Sequence, residues 1–414
     1  MKRRVVVTGC GIVSPVGVGE TPFWDSLINA KSGIGKITHF DATEYDSQIA
    51  GEVSDFCPPS FLSVKDVRKT ARFVQFALAA ADQAFKGSGL DLGKEDPYRA
   101  GVIIGSGIGS LETVEKEHRN LIEKGPKKIS PFLIPRLITN EAAGLVAIQF
   151  NLKGINFCTV TACASGAHGI GEAYRAIETS KADIMFCGGT EAAIVPLGVG
   201  GFCALKALST RNDEPQRASR PFDNDRDGFV MAEGAGVFVL EELERAKKRG
   251  AHIYAEICGY GATCDAYHIT APNPDGNSAA KAMELALEES KTSIEEKGYI
   301  NAHGTSTKLN DRMETNAIKK AFGSHAEKLH ISSTKSMMGH TLGAAGAIEF
   351  AVCCFAIKSK IIPPTINYET PDPECDLNYT PNEVVQAPGL KYALSNSLGF
   401  GGHNASLVVK EFIK

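Results

Sequence analysis

The sequence predicts an α/β protein with largely buried sheets. Short apolar runs typical of buried strands lie at residues 4–9, 100–107, 182–189 and 236–242. Longer helical patterns, at residues 73–85 and 169–177, alternate with these runs. This alternation favours sheets whose faces are covered by helices. The 414 residues contain no Pro/Ser-rich linker or low-complexity tract, so we expect the parts of the chain to pack as one body.

The first predicted strand lies in the N-terminal stretch MKRRVVVTGCGIVSPVG. A basic start followed by apolar residues resembles a signal peptide, but Thr8, Gly9 and Gly11 interrupt the run and no small-residue cleavage site follows. The most apolar helical stretch, residues 347–357, is too short to span a bilayer and contains Glu349. We therefore expect a cytoplasmic protein without membrane insertion.

Charge and cysteine content exclude further classes. The formal net charge of -4 argues against a general polyanion-binding role, so nucleic acid is not an expected partner. Eleven cysteines are an odd number, and the sequence contains no C-x2-C pair, so neither a disulfide framework nor a zinc site is indicated. Most of the cysteines lie among apolar residues, where a thiol packs as a small hydrophobic group.

An internal repeat divides the chain into two similar parts. The stretch CASGAHGIGE, which begins at Cys163, aligns without a gap with HTLGAAGAIE, which begins at His340. Four of the ten positions are identical, and each stretch begins at a predicted helix start. We expect two halves, residues 1–250 and 251–414, in which His340 occupies the position that Cys163 has in the first half.

Cys163 is the first candidate nucleophile. A run of small residues follows it, and the N–H groups and partial positive charge of a helix start stabilise a thiolate, which lowers the pKa of the thiol. The alternative is a core cysteine on a tightly packed helix, and the segment alone leaves both open. His168 lies roughly 140° further around the helix, so we do not expect it to be the base.

Two polar segments offer the missing partners. The segment YINAHGTST is predicted to be a short strand that ends in a glycine-containing turn, where α/β enzymes expose functional groups, and it contains His303. The polar loop SSTKSMMGHT leads into the second repeat helix and contains Lys335 and His340. Each histidine alone is more often structural, but together with Cys163 they favour a catalytic role.

Two glycine-rich stretches need separate interpretations. SNSLGFGGHN, near the C-terminus, either turns its amides toward a ligand, with Phe400 as a movable gate, or forms a tight turn between strands. GSGIG, residues 105–109, resembles the start of a dinucleotide-binding fingerprint, but Ser110 stands where the third glycine belongs. We therefore expect no NAD binding.

A row of cations lies early in the chain. Lys65, Arg68, Lys69 and Arg72 are spaced at i, i+3, i+4 and i+7, which places them on one face of a predicted helix. Such a row is usually a solvated face. On a chain of negative net charge it also suits docking of an acidic protein partner.

With these motifs in fixed order, the sequence resembles the β-ketoacyl-[acyl carrier protein] synthases of bacterial-type fatty acid synthesis, and among them the elongating type II branch. The resemblance extends from RVVVTGCGIVSPVG through TACASGAHGI, NAHGTST and SSTKSMMGHTLGAAGA to SLGFGGHN, essentially the whole chain. It implies a thiolase-like fold of two similar halves in a layered α-β-α-β-α architecture, a homodimer, and acyl carrier protein as the partner. It implies no bound metal or cofactor, because phosphopantetheine arrives on the carrier protein.

The resemblance also implies roles for matching residues. Cys163 accepts the acyl group as a thioester, and His303 and His340 hydrogen-bond the malonyl thioester oxygen while CO2 leaves. Lys335 keeps the surroundings of His340 correctly charged. The oxyanion of the acyl thioester lies between the amides of Cys163 and Phe400. The remaining expectations are pantetheine contacts for Thr270, Thr305 and Thr307, a position along the acyl tunnel for Ile108, Ser110 and Phe202, and carrier docking for Lys65, Arg68 and Lys69.

Related classes are separated by single features. Two histidines distinguish this pattern from the initiating branch that uses acetyl-CoA, and Cys163 distinguishes it from silent chain-length partners. A thiolase acting on CoA esters, the enzymatic alternative, needs a second cysteine in the C-terminal glycine loop, where this sequence has FGGH. A catalytically silent carrier-binding subunit, the other alternative, needs no thiolate.

Overall fold

The structure is a computed structural model that describes residues 2–413. The predicted strands are confirmed, since all four apolar runs fall in long strands. The strands are β1 (Val5–Ser14), β2 (Gly17–Val18), β3 (Gly35–Lys36), β4 (Ile49–Ala50), β5 (Ala100–Gly105), β6 (Asn156–Phe157), β7 (Ile184–Glu191), β8 (Gly234–Glu242), β9 (Ala255–Cys264), β10 (Gly298–Asn301), β11 (His330–Ser332), β12 (Ile361–Ile362), β13 (Val385–Gln386), β14 (Tyr392–Gly399) and β15 (His403–Lys410).

Helices fill most of the connections between these strands. Both helical patterns of the sequence are confirmed, and they fall within α3 and α7 of the following set. The helices are α1 (Glu20–Ile28), α2 (Val64–Lys69), α3 (Arg72–Ser88), α4 (Leu111–Lys124), α5 (Leu133–Leu137), α6 (Glu141–Phe150), α7 (Ser165–Glu178), α8 (Pro196–Ala204), α9 (Leu243–Lys248), α10 (Asn277–Ser290), α11 (Lys308–Phe322), α12 (Lys335–Met338) and α13 (Ala345–Ser359).

One mixed sheet contains most of the strands. Its order is β11-β10-β14-β15-β9-β1-β8-β7-β5-β6, and β2 pairs with the end of β1. The order is symmetric, because β10, β14, β15 and β9 mirror β5, β7, β8 and β1. The two half-sheets join where residues 5–7 of β1 pair antiparallel with residues 255–257 of β9.

Alternation along the strands produces the layers. In β8, Phe238 and Leu240 face a central core that contains α7 and α13, whereas Val237 and Val239 face an outer core that contains α3 and α6. The second half has its own outer core, in which α10 and α11 pack against residues such as Ile300 of β10. Helices therefore lie between the half-sheets and outside each of them, which confirms the predicted α-β-α-β-α architecture.

The two outer helix layers lie equally close to their strands. A Cβ atom on Gly9 or Gly11 of β1 would lie 2.1 or 1.9 Å from a backbone oxygen of α3. A Cβ atom on Gly259 or Gly261 of β9 would lie 2.0 or 1.9 Å from a backbone oxygen of α10. Only glycine fits at such a close approach, so a pair of strand glycines positions the outer helix in the same way in each half.

The repeat is present, but its predicted register is wrong by three residues. A 3₁₀ turn of Ala162–Ala164 precedes α7, and a 3₁₀ turn of Leu342–Ala344 precedes α13. The first residue of each turn has the same φ of 51°. The counterpart of Cys163 is therefore Gly343 and not His340, which lies three positions before it.

Reciprocal contacts between α7 and α13 support the corrected register. A Cβ atom on Gly166 would lie 3.0 Å from the amide nitrogen of Ala347, and one on Gly346 would lie 2.9 Å from the amide nitrogen of Ala167. These two contacts exchange with each other under a local twofold axis between the helices. The central layer thus brings the starts of both repeat helices to one place.

The apolar helix α13 is longer than the sequence predicts. Together with the turn before it, the segment Leu342–Ser359 is long and apolar enough to cross a membrane by length and composition, and 89% of it is buried inside the protein. A helix buried on all sides in a core has this composition as well. All eleven cysteines are free thiols in the structure.

Candidate active site

A cavity of about 500 Å³ lies where the starts of the repeat helices meet the C-terminal hairpin. Its apolar wall consists of side chains that pack as one cluster, namely Ile108, Phe202, Phe229 and Leu342. Its polar wall includes Asp265, Thr270, Thr305, Thr307, Asn310 and Asn404. The cavity therefore offers one surface to a hydrocarbon chain and another to a polar arm.

Cys163, His303 and His340 converge in this cavity. Cys163 lies in the turn that precedes α7, His303 follows strand β10, and His340 lies between α12 and the turn that precedes α13. The sulfur and one ring nitrogen from each histidine all lie within 4.8 Å of one another. The predicted joint site is thus assembled from three separate segments of the chain.

Burial opposes ionisation of the Cys163 thiol. It raises the pKa of the thiol to about 12, although the Lys335 ammonium and a hydrogen bond from the backbone amide of Phe400 act in the opposite direction. The predicted net lowering of this pKa is therefore wrong, because burial exceeds the contributions that favour the thiolate. The thiol keeps its proton at neutral pH and must lose it during the reaction.

The hairpin between β14 and β15 brings the Phe400 amide to the sulfur. A Cβ atom on Gly399 would lie 2.7 Å from the carbonyl oxygen of Thr161 and 3.3 Å from the amide nitrogen of Cys163, so the close approach requires glycine. Gly401 and Gly402 have φ values of 85° and 77°, which turn the hairpin sharply. The glycine stretch is thus a tight turn between strands that also points an amide into the cavity.

Both histidines are neutral hydrogen-bond donors. Burial, followed by the nearby Lys335 ammonium, holds the pKa of His303 and of His340 well below the ordinary value. Nδ1 of His340 accepts a hydrogen bond from the amide of Leu342 at 3.3 Å, which leaves the proton on Nε2. Nζ of Lys335 lies 3.4 Å from Nδ1 of His303, which favours the same tautomer there. Two Nε2–H groups are therefore available to one acceptor.

The charge of Lys335 acts on the pKa of His340, but its direct contact is with the other histidine. Its contact is with His303 rather than His340, and it begins the one-turn helix α12 within the segment that the sequence predicts to be a loop. Its ammonium forms a buried ion pair with Glu349 of α13. Burial raises the pKa of Glu349 to about 7, and the Lys335 ammonium opposes that shift.

Two further carboxylates near the site are missed by the sequence analysis. Glu314 of α11 accepts hydrogen bonds from the amides of His303 and Gly304, each at 2.8 Å, and so holds the turn that carries His303. Glu191, at the end of β7, accepts hydrogen bonds from the loop that contains Ile108. A single glutamate at the end of a strand or within a helix gives no local signal, because its partners are distant in sequence. For Glu349, one signal was available, namely an isolated charge in an otherwise apolar helix.

Most of the residues that were expected to contact the substrate line the cavity. Thr270, Thr305 and Thr307 line the polar wall, and the hydroxyls of Thr305 and Thr307 lie 2.9 Å apart. Ile108 and Phe202 line the apolar wall, where the Phe202 ring contacts that of Phe229. Ser110 is an exception. Its hydroxyl caps helix α4 by accepting a hydrogen bond from the amide of Thr113, outside the set of residues that line the cavity.

His168 has a structural partner, as the sequence leads one to expect. Its Nδ1 lies 2.6 Å from the Tyr260 hydroxyl, which links α7 to β9. Burial lowers the pKa of His168 to about 4, so this ring is neutral at physiological pH.

The row of cations is broken between two helices. Helix α2 ends at Lys69 and leaves Lys65, Arg68 and Lys69 exposed. Arg72 begins α3 instead and donates to the buried Glu233 at 2.6 Å, so it is not part of the predicted face. Lys69 lies 5.9 Å from the ring centre of Phe132, which extends the basic surface toward the exposed lysines of the 3₁₀ turn Pro126–Lys128.

Comparisons with known proteins identify the class. The family models described as beta-ketoacyl synthase, N-terminal domain, and beta-ketoacyl synthase, C-terminal domain, match residues 2–246 and 254–369. The chain belongs to the β-ketoacyl synthase family.

Similar proteins share nearly the full length of the chain. The 3-oxoacyl-[acyl-carrier-protein] synthase 2 of Coxiella burnetii (strain RSA 493 / Nine Mile phase I) is 52% identical over 99% of this chain and 98% of its own. The protein of the same name from Synechocystis sp. (strain ATCC 27184 / PCC 6803 / Kazusa) is 51% identical over 99% of both chains.

Solved structures agree with this assignment. A beta-ketoacyl synthase from Burkholderia phymatum STM815 is 37% identical, with a TM-score of 0.92 over 100% of both chains. A type II PKS acyl-carrier protein in complex with its ketosynthase contains a chain that is 39% identical, with a TM-score of 0.92 and the same complete coverage. The predicted thiolase-like fold of the ketosynthases is confirmed.

Proposed function

We propose that this protein is an elongating 3-oxoacyl-[acyl-carrier-protein] synthase. It condenses an acyl group, held as a thioester on Cys163, with malonyl-[acyl-carrier-protein] and releases CO2. The observation that carries the proposal is the convergence of one thiol and two neutral imidazole rings in a cavity with both an apolar and a polar wall, where the sulfur and one ring nitrogen from each histidine lie within 4.8 Å of one another.

Transfer of the acyl group to Cys163 is the first step. The sulfur attacks the carbonyl carbon of the acyl thioester on the carrier, and the carbon–sulfur bond to pantetheine breaks. The proton of the Cys163 thiol passes to the departing pantetheine thiolate. The oxyanion of the tetrahedral intermediate accepts hydrogen bonds from the amides of Cys163 and Phe400.

Condensation then uses the two histidines. The thioester oxygen of the malonyl group accepts hydrogen bonds from Nε2–H of His303 and His340, so its growing negative charge is stabilised as the bond to CO2 breaks. The resulting enolate carbon attacks the acyl thioester on Cys163. The carbon–sulfur bond to Cys163 breaks, and the released thiolate takes up a proton from water. The product is a 3-oxoacyl chain that is two carbons longer and remains on the second carrier.

The acyl carrier protein reaches the site with its phosphopantetheine arm along the polar wall. Thr270, Thr305 and Thr307 contact this arm, and the exposed cations Lys65, Arg68 and Lys69 attract the acidic carrier. No bound metal or cofactor takes part in the proposed chemistry.

The protein acts as a cytoplasmic homodimer whose chain is organised as halves 1–250 and 251–414. Strand β6 supports the dimer, because among the described residues it pairs with β5 alone and lies at the edge of the sheet. Its two residues, Asn156 and Phe157, are exposed, and the Phe157 side chain is 41% exposed. An edge strand with unpaired backbone groups and an exposed aromatic side chain favours pairing with a second copy.

Substitution of the nucleophile tests the proposal. Cys163→Ala should abolish condensation of acyl and malonyl carriers, while CO2 release from malonyl carrier persists because both histidines remain. The matched control is Cys57→Ala, which removes an exposed thiol outside the cavity and should condense normally. Product mass and CO2 release are the two measurements. Condensation by Cys163→Ala at the normal rate would show that the proposed mechanism is wrong.

A further inference from the structure

Glu191 is a fully buried carboxylate whose four donors are all uncharged. Its Oε1 accepts hydrogen bonds from the Ser106 hydroxyl at 2.9 Å and the Ile108 amide at 3.3 Å. Its Oε2 accepts hydrogen bonds from the amide of Gly107 at 2.8 Å and the amide of Gly343 at 3.1 Å. A buried carboxylate that loses its hydrogen bonds costs free energy. Backbone movements that would break these four contacts are therefore opposed.

The position of Glu191 mirrors the proposed oxyanion site. In one half of the cavity, the end of β14 meets the turn that contains Cys163. In the other half, the end of β7 meets the turn that contains Gly343, the counterpart of Cys163 in the corrected register. Cys163 lines the cavity, whereas the amide of Gly343 binds the Glu191 carboxylate. The turn that contains Gly343 thus binds a carboxylate of the protein itself, at the position that corresponds to the proposed oxyanion site.

The same carboxylate holds the glycine-rich loop of residues 105–109. This loop follows a strand as a dinucleotide-binding loop does, but its amides bind Glu191 instead of a phosphate. Ile108 projects from the loop into the apolar wall of the cavity, where it packs with Phe202 and Leu342. Movement of the loop backbone would therefore move Ile108 and change the shape of the apolar wall.

We infer that Glu191 is a positioning residue that fixes Ile108 and thereby limits the length of the acyl chain that the cavity accepts. This inference rests on the proposed function. It differs from a role in the chemistry itself, because Glu191 acts on substrate choice through the loop and not on the reacting atoms.

Glu191→Gln tests the inference with little change in volume. An amide can satisfy Gly107 and Gly343 with its oxygen and can donate to the Ser106 hydroxyl with its nitrogen. That nitrogen then faces the Ile108 amide, where two donors meet and no hydrogen bond forms. The substitution therefore releases Ile108 selectively and leaves the other three contacts in place.

The measurement is kcat/KM for a series of acyl carriers of increasing chain length, with malonyl carrier held constant. For Glu191→Gln, the ratio of long-chain to short-chain kcat/KM should rise by about two- to tenfold, the equivalent of one lost hydrogen bond. Ser106→Ala removes another contact of the same carboxylate and should shift the ratio in the same direction. The matched control is Glu241→Gln, another fully buried glutamate, which pairs with Arg249 away from the cavity and should leave the ratio unchanged.

The outcomes separate this inference from the proposed function. If the wild-type protein condenses acyl and malonyl carriers but both Glu191→Gln and Ser106→Ala keep the wild-type ratio, the inference is wrong and the proposed function stands. An equal fall at every chain length, matched by Glu241→Gln, also overturns it, because this is a general loss of stability. If Glu191→Gln does not fold, the ratio measured for Ser106→Ala decides. Absence of condensation in the wild-type protein would instead reject the proposed function.

Discussion

Replacement of Lys335 by methionine separates two roles of one ammonium group. Lys335 and Glu349 are 1% and 0% exposed, so the substitution leaves a buried carboxylate without its partner. Removing one partner of a buried ion pair costs about 3–5 kcal/mol. Burial already raises the pKa of Glu349 to about 7 with the ammonium present. Without it, the carboxyl group takes up a proton, and the loss of stability should lie toward the lower end of that range.

The same substitution removes the hydrogen bond at 3.4 Å that favours the Nε2–H tautomer of His303. Methionine cannot donate a hydrogen bond, so Nδ1 of His303 loses its donor and the ring loses its preferred orientation. Loss of one preorganised donor to a developing oxyanion lowers kcat by about 10²–10³. Lys335→Met should therefore unfold at a lower temperature and release CO2 from malonyl carrier at least about 100-fold more slowly.

The double variant Lys335→Met/Glu349→Gln distinguishes the two effects. It removes the carboxyl group that must otherwise take up a proton to stay buried without a partner, so the unfolding temperature should recover most of its loss, whereas CO2 release should stay slow. Thermal unfolding and CO2 release are measured on the same preparations, with Lys153→Met, at an exposed lysine, as the control. The reasoning fails if Lys335→Met unfolds at the wild-type temperature, or if the double variant regains normal CO2 release.

Two further predictions concern the thiol and the docking helix. Because burial raises the pKa of Cys163 to about 12, the rate constant for its alkylation by iodoacetamide should rise about tenfold per pH unit between about pH 7 and about pH 9. A plateau below about pH 8 would show instead that the helix start outweighs burial. Reversal of the three exposed charges of α2 to glutamate should raise the KM for malonyl carrier about tenfold, with kcat little changed and a smaller effect at high salt. The control is the same reversal at the exposed Lys281 of α10, and an equal effect there would contradict specific docking.

Much of the fold follows from local patterns in the sequence. Buried strands such as β1 and β8 consist of apolar runs bounded by glycine, and α3 and α7 have clear helical periodicity. The order of the strands in the sheet depends on pairing between distant segments, such as residues 5–7 with residues 255–257. That pairing leaves no trace in either segment alone, so it could not be predicted from periodicity.

The register of the repeat is hard to predict because small residues make different alignments look alike. Both helix starts are rich in glycine and alanine, so alignments that differ by three residues look almost equally good. The matching turns before the two helices, and the reciprocal packing of Gly166 on Ala347 and of Gly346 on Ala167, select one of them. The predicted equivalence of Cys163 and His340 was wrong for this reason, although both residues do line the cavity.

The sequence is sufficient to predict the reactive side chains of the site, but not the contacts of the residues that hold those side chains in place. Cys163, His303 and His340 stand in polar or glycine-rich stretches that signal exposure of a side chain at the end of an element. Glu314 and Glu349 are among their supports, and the partners of these carboxylates become visible only when the chain is folded. Lys335 was predicted near the site, but its contacts with His303 and Glu349 were not. The direction of the pKa of Cys163 was likewise missed, because burial is a property of the whole cavity.

Because β1 and β9 pair over a short stretch, the two similar halves of the protein cannot be separated without exposing part of each. If the chain were cut between the halves and the pieces separated, residues 5–7 and 255–257 would each become an open strand edge with apolar side chains beside it. Such edges promote aggregation. The central helices α7 and α13 would also lose the partner that covers them. Each half therefore covers a strand edge and a helix surface of the other, and a mutation in one half is constrained by how it fits against the other half.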